Sequence, residues 1–239
     1  MNVQRLTSNV YSLAVYIAET FVSIQGEGLL VGMPSFFIRT SGCNLRCRWC
    51  DTPYTSWLPE GGRVSVDDLV AEALAGPASH VVVTGGEPLL QREIGELTRA
   101  LAAAHLHVTV ETAGTVDPVF HCDLLSVSPK TSNSDPQGRW RRRHRLVRHD
   151  LEPLRKLLAR FEEYQLKFVV VDGDDLPEIQ ETLRFLGRIP PDRVVLMPEG
   201  RSSAELTRRA AEVAALCIEH GFRYTPRLQF DLFGGGRGV

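Results

Sequence analysis

Three cysteines, Cys43, Cys47 and Cys50, fall within eight residues of the stretch GCNLRCRWCDTPYT (Gly42–Thr55), in the spacing C-x3-C-x2-C with no fourth to follow. Thiols at this density point to metal or redox chemistry. A structural zinc ion calls for about four protein ligands, commonly in two separated pairs. Here no histidine adjoins the triplet, and His80, His105, His107 or His121 would have to be brought in by the fold. Inert buried thiols are a second account, made unfavourable by Arg46 and Arg48 between the cysteines, since an unpaired charge is costly to bury. The third is an iron–sulfur cubane, which normally takes about four thiolates. Three would leave one iron open, and an open coordination site is where a catalytic metal centre takes its substrate.

Downstream, HVVVTGGEPLLQ (His80–Gln91) is a β-branched run ending in Gly85, Gly86, Glu87 and Pro88. Residues without side chains let a backbone approach a ligand, and Glu87 offers an acceptor for an ammonium group. The same glycines also suit a plain tight turn. VETAGT (Val110–Thr115) sets Glu111 at the end of another apolar run, a position from which acidic residues grip ribose hydroxyls. Ser128, Pro129 and Lys130 follow a further run and read equally as a polar loop.

These groups need elements to position them. Strands are expected at Ser35–Thr40, His80–Thr84, Leu106–Val110, Leu124–Val127, Leu166–Val170 and Arg193–Met197, with helices at Val66–Gly76, Leu89–His105, Leu176–Gly187 and Ser202–Gly221. Apolar strands alternating with amphipathic helices indicate a helix-covered parallel sheet, as a partial barrel or an open doubly wound sheet. In such sheets ligands bind at the carboxyl ends of the strands, where the cysteine loop falls. No repeat or Pro/Gly/Ser-rich linker divides the 239 residues, so one domain spanning 1–239 is expected. A net charge of −2 carries no signature of nucleic-acid or membrane binding. The N-terminus lacks the apolar stretch of a secretory leader, and no run of about 18 apolar residues suggests a membrane span. An odd count of five cysteines argues for a reducing compartment, with the cytoplasm as the default.

The cysteine triplet with Trp49 before its last member, followed in order by GGEP, the strand-end acid and SPK, resembles the radical S-adenosylmethionine (SAM) superfamily. The resemblance implies an incomplete (β/α)6-type barrel of mostly parallel strands. It also implies a [4Fe–4S] cluster on Cys43, Cys47 and Cys50, with SAM chelated to the open iron and cleaved by one electron to a 5′-deoxyadenosyl radical. Trp49, Cys50, Asp51, Gly85, Gly86, Glu87, Glu111, Ser128, Pro129 and Lys130 would bind SAM. The flank Glu19–Thr55 is similar to the 7-carboxy-7-deazaguanine synthase family, and LKFVV and LMPEG (Leu196–Gly200) also have counterparts there. That family is homodimeric and needs magnesium. It contracts the ring of 6-carboxy-5,6,7,8-tetrahydropterin, with loss of ammonia, on the way to queuosine and other deazapurines.

By that resemblance Ile24, Gln25, Gly26, Glu27, Arg39 and Thr84 would contact the pterin, and Thr52 would ligate Mg2+. Gln165, Lys167 and Gln229 are weaker candidates. The residues alone read Arg39 either as a partner for the substrate carboxylate or as an ordinary ion pair. A glycyl-radical activase is the alternative within the superfamily; IQGEG and CDTPYT argue against it. Residues 1–34 would form a substrate-binding extension and 222–239 a cap. Ser132–Asp150 holds six arginines and two histidines, read as a solvated connection or as a docking patch for an acidic flavodoxin-like electron donor.

Overall fold

The computed structural model describes residues 13–239. The first twelve residues of the expected N-terminal extension, and with them most of the leader reading, lie outside the described residues. The elements run β1 (Ala14–Ile24), β2 (Pro34–Thr40), the helical turn α1 (Pro53–Ser56), β3 (Gly62–Ser65) and α2 (Val66–Ala75). They continue with β4 (His80–Gly85), α3 (Ile94–Ala103), β5 (His107–Thr112), β6 (Leu124–Val127), α4 (Arg141–His149) and α5 (Glu152–Arg160). The last are β7 (Tyr164–Val170), α6 (Leu176–Leu186), β8 (Val194–Pro198), α7 (Ser203–His220), β9 (Arg223–Tyr224) and α8 (Leu228–Phe233). All nine strands share one sheet, ordered β3-β1-β2-β4-β5-β6-β7-β8-β9. β1 is antiparallel to β2 and β3, and every other pairing is parallel. The edges β3 and β9 do not pair with each other, so the α/β barrel is incomplete.

The six expected strands are β2 and β4 to β8. β1 was not anticipated: a register shift between Ile17 and Glu19 breaks its alternation, and polar residues fall on it in succession. α3 begins at Ile94 rather than Leu89 because Pro88–Leu90 form a 3-10 turn, capped by the Glu87 carboxylate accepting from Leu89 N. α7 is bounded as expected, by the Ser202 hydroxyl accepting from Glu205 N and by Gly221 at φ 69°.

The period of two along each parallel strand divides its residues between two tasks. Ile38, Val83, Val110, Leu125, Phe168 and Leu196 point to the helices and build one hydrophobic core with Leu69, Leu97, Leu157, Ile179 and Val213. Their neighbours Arg39, Thr84, Glu111, Ser126, Lys167 and Met197 face the opposite side, where they line a cavity. Polar side chains inside apolar strands are thus the inner row of the barrel.

Two devices fix the cysteine loop against this sheet. Gly86 N donates to Thr40 O at 3.1 Å, Glu87 N to Gly42 O at 2.8 Å, and Gly42 N to Thr55 O at 2.8 Å. The approach is so close that a Cβ on Gly86 would lie 2.2 Å from Gly42 O. On its other side the loop is braced by the segment leading into α4. Arg46 N donates to Nδ1 of the buried His144 at 3.0 Å, and Arg48 N to Ser134 O at 3.0 Å. With Nδ1 accepting, the His144 proton is on Nε2, which donates to Ser134 Oγ at 2.9 Å; that hydroxyl in turn donates to Thr131 O at 2.6 Å. Burial pushes the His144 pKa down to about 4, so the ring stays neutral.

Replacing Gly86 by Ala should cost about 1–3 kcal/mol in chemical denaturation, since rigid backbone must move. Gly62→Ala, with nothing within 4 Å of the new Cβ, should change stability by no more than about 0.5 kcal/mol. Because the fold prefers neutral His144, its contribution is full above pH 6.5 and is lost as pH falls towards 4. The decline in stability over that range should be shallower in His144→Asn; an unchanged slope would show that the ring does not carry the effect.

Candidate functional site

A single cavity opens at the carboxyl ends of the parallel strands and gathers most of the candidate residues. Gln25, Glu27, Arg39, Cys43, Cys47, Trp49, Cys50, Asp51, Thr52, Thr84, Gly85, Gly86, Glu111, Ser128 and Lys130 all line it. Ile24, Gly26, Glu87 and Pro129 do not.

The three thiols occupy one end. Burial pushes Cys43 and Cys47 up to about 12, with Glu87 and Cys50 contributing to the rise at Cys43 and the other two thiols to that at Cys47. Such thiols ionise only against a strong positive centre. Among the described residues no three of His, Cys, Asp and Glu close on a single ion. Cys43, Cys47 and Cys50 nevertheless all line the same cavity. The backbone here is well satisfied: Trp57 Nε1 donates to Cys47 O at 3.1 Å, and Arg46 Nη1 to Cys43 O and Leu45 O at 2.7 Å each. Arg46 and Arg48 are therefore compatible with buried thiols, because Arg46 spends its charge on carbonyls of its own loop.

Around the thiols stand the groups expected to hold SAM. Trp49 Nε1 donates to Asn133, and Lys130 Nζ lies 5.7 Å from the Trp49 ring centroid while donating to Ser128 O and Oγ. Gly85, at φ 133°, presents backbone to the cavity, with Thr40 directly behind it. The glycine pair is required by the neighbouring backbone as much as by any ligand. Glu87, expected as an acceptor for an ammonium group, does not line the cavity. It is fully buried, and its carboxylate accepts from Leu89 N at 3.1 Å, Thr112 Oγ1 at 2.7 Å and Ala113 N at 2.8 Å. It ties β4 to β5 rather than presenting an acceptor to the cavity. Burial raises its pKa, against the opposing pull of these hydrogen bonds.

The other end is a network of charges. Glu27 accepts from Lys167 Nζ at 2.5 Å, Arg227 Nε at 3.0 Å and Gln229 Nε2 at 2.8 Å. Burial alone would raise its pKa, but Lys167 and Arg227 outweigh burial and hold the carboxyl well below the usual range. Arg227 also donates to Gly200 O at 2.6 Å and to the Asp51 carboxylate, so the C-terminal tail reaches the cysteine loop. Glu111 accepts from Gln25 Nε2 at 3.2 Å and from Thr84 Oγ1 at 2.9 Å, which joins both halves of the cavity.

Arg39 makes an ion pair and also borders the cavity. Nε donates to Glu19 at 2.7 Å, and the guanidinium still lines the cavity. Thr52 lines it too, its hydroxyl 3.4 Å from Thr55 Oγ1, and offers a single neutral oxygen as a metal donor. Gln165 and Gln229, two of the weaker candidates, lie behind the cavity wall. Gln165 bonds Leu29 N and Ser126 Oγ, Gln229 bonds Glu27, and neither lines the cavity. Lys167 does line it. Arg227, with Ser126 and Met197, was missed; an arginine directly after Pro226 was its only signal.

Comparison with known proteins agrees with this geometry. The Radical SAM superfamily profile matches residues 37–186. The 7-carboxy-7-deazaguanine synthase of Rhodopirellula baltica is 47% identical over 230 residues, 95% of this chain and 89% of that one. That of Halobacterium salinarum is 48% identical over 234 residues, covering 92% and 91%. The crystal structure of QueE from Escherichia coli superimposes with a TM-score of 0.68 at 26% identity, covering 93% of this chain and 99% of its own. The chain belongs to the 7-carboxy-7-deazaguanine synthase family of the radical SAM superfamily.

Proposed function

We propose that the chain converts 6-carboxy-5,6,7,8-tetrahydropterin to 7-carboxy-7-deazaguanine with loss of ammonia, a step towards queuosine and related deazapurines. The observation that carries this is one cavity with three thiols at one end and the ionised Glu27 between Lys167 and Arg227 at the other. A [4Fe–4S] cluster on Cys43, Cys47 and Cys50, together with SAM, supplies a 5′-deoxyadenosyl radical when one electron arrives. Trp49, Asp51, the Gly85–Gly86 backbone, Ser128 and Lys130 hold the SAM end of the cavity. Glu111, hydrogen-bonded to both Gln25 and Thr84, stands where the two ligands meet.

At the substrate end, Glu27 is kept anionic by its two cations and so accepts from the amide and amino groups of the pterin edge. Gln25 offers an amide beside it. Arg39, with its Nε fixed by Glu19, turns the rest of its guanidinium to the substrate carboxylate. Thr52 would offer its hydroxyl oxygen to Mg2+, a hard cation that takes oxygen ligands and would supply charge stabilisation near the substrate carboxylate. Fixing both ligands in one enclosed space aligns the hydrogen to be abstracted and keeps water from the radical. The protein works as a single-domain homodimer in the cytoplasm, with residues 222–239 capping the site, and draws its electron from a flavodoxin-like carrier.

Anaerobic reconstitution tests the reading. We expect about four irons per chain, 5′-deoxyadenosine on reduction, and a product from 6-carboxytetrahydropterin whose mass shows loss of ammonia. A colourless protein holding one zinc ion would sink it. Arg227→Gln should raise KM for the pterin tenfold or more and speed amide exchange across residues 225–233. Iron content should stay unchanged. Unaltered KM would remove Arg227 from the substrate site.

A further inference from the structure

The segment between β6 and α5 has two faces. The inner one is committed to the fold: His144 and Ser134 brace the cysteine loop, and Arg148 is buried between Asp135 at 2.7 Å and Glu178 at 2.6 Å. On the outer one Arg139, Arg141, Arg142, Arg143 and Arg145 are exposed. Among the described residues only Arg145 of these five has a carboxylate within 4 Å, Asp135 at 3.4 Å.

This outer face is unfavourable for the helix that bears it. Arg141 to Arg143 occupy the first turn of α4, where the helix dipole favours acidic side chains, and no acidic residue is present there. Arg141 and Arg145 stand four apart with like charge, a further destabilising pair. Helix stability therefore does not account for these residues. Their concentration in a chain of net charge −2 makes the face a local electrostatic target. Leu146, 66% exposed, adds an apolar contact on the wall of a shallow groove shared with Arg142 and Arg145.

The location gives the target a purpose. Arg46, one residue before Cys47, has its guanidinium 4.8 Å from the Trp140 ring centroid, and Arg139 lies 5.3 Å from the same ring. A partner on the arginines thus rests on side chains in direct contact with the cysteine loop.

We propose that the outer face of α4 is the landing surface for a small acidic protein carrying a one-electron flavin or iron–sulfur group, which reduces the cluster through the adjoining cysteine loop. This rests on the reading under Proposed function. The carrier is oxidised by one electron and the cluster is reduced by one, and no bond is made or broken. Nucleic acid is the less favoured occupant, because the basic residues are confined to one short segment that adjoins the cysteine loop through Trp140 rather than forming an extended track.

The test uses the reconstituted holoenzyme with a flavodoxin as the probe. The variant carrying Arg141→Glu, Arg142→Glu and Arg143→Glu should fold normally, since the new charges suit the helix N-terminus. Flavodoxin should bind it at least tenfold more weakly in calorimetry. Wild-type binding should weaken as salt rises from about 50 to about 300 mM, as screening shortens. Flavodoxin-driven turnover should need a correspondingly higher carrier concentration, while dithionite-driven turnover stays within twofold of wild type. Arg184→Glu with Arg188→Glu, on exposed sites elsewhere, should change none of these. Unaltered flavodoxin affinity in the triple variant overturns the proposal, as does an equal loss in the control variant or a loss of RNA binding alone. An inactive wild type under dithionite would instead defeat the functional reading, and the binding measurement would still report on the docking face.

Discussion

A carboxylate enclosed by protein stays ionised only where cations stand close enough to replace the water it has lost. Glu27 meets that condition from separate parts of the chain: Lys167 projects from β7, and Arg227 and Gln229 project from the tail. Each of those cations is likewise tolerable only because Glu27, Glu111 or Asp51 answers it. The substrate end of the cavity is therefore a mutually dependent set of charges. Its members hold the N-terminal loop, the sheet and the C-terminal segment in one arrangement.

The thiol end is built on a different principle. Its loop is fixed by backbone hydrogen bonds to Thr40, Gly42, Thr55 and Ser134, and by a neutral imidazole. Such bonds depend little on the charge state of what the loop carries. A metal centre that changes oxidation state needs ligands whose positions do not follow its charge. The contrast between the two ends matches their tasks: one must recognise a polar molecule, and the other must tolerate electron traffic.

Much of this was legible in the sequence, for identifiable reasons. The parallel strands announce themselves as β-branched runs, and the cysteine spacing and GGEP are local signals that survive without a structure. Arg39 and Glu111 were readable because each is a charged residue at the end of an apolar run, and Thr84 only through the family resemblance. β1 was hidden because a bulge at Ile17–Glu19 breaks the period on which strand reading depends. The hydrogen bonds of Glu87 were hidden for a different reason. A strand-end acid looks the same in sequence whether it faces a ligand or accepts from Thr112 and Ala113 in the next strand. Arg227 had only a faint local signal, because its meaning lies in a partner 200 residues away.

That same separation orders events during synthesis. When the ribosome has made everything up to β8, the thiols, the glycine turn and Lys167 are present, yet Glu27 has only one of its two cations. The guanidinium that completes it lies beyond β8. The thiol loop and its backbone partners are thus translated before Arg227, the second cation that Glu27 requires.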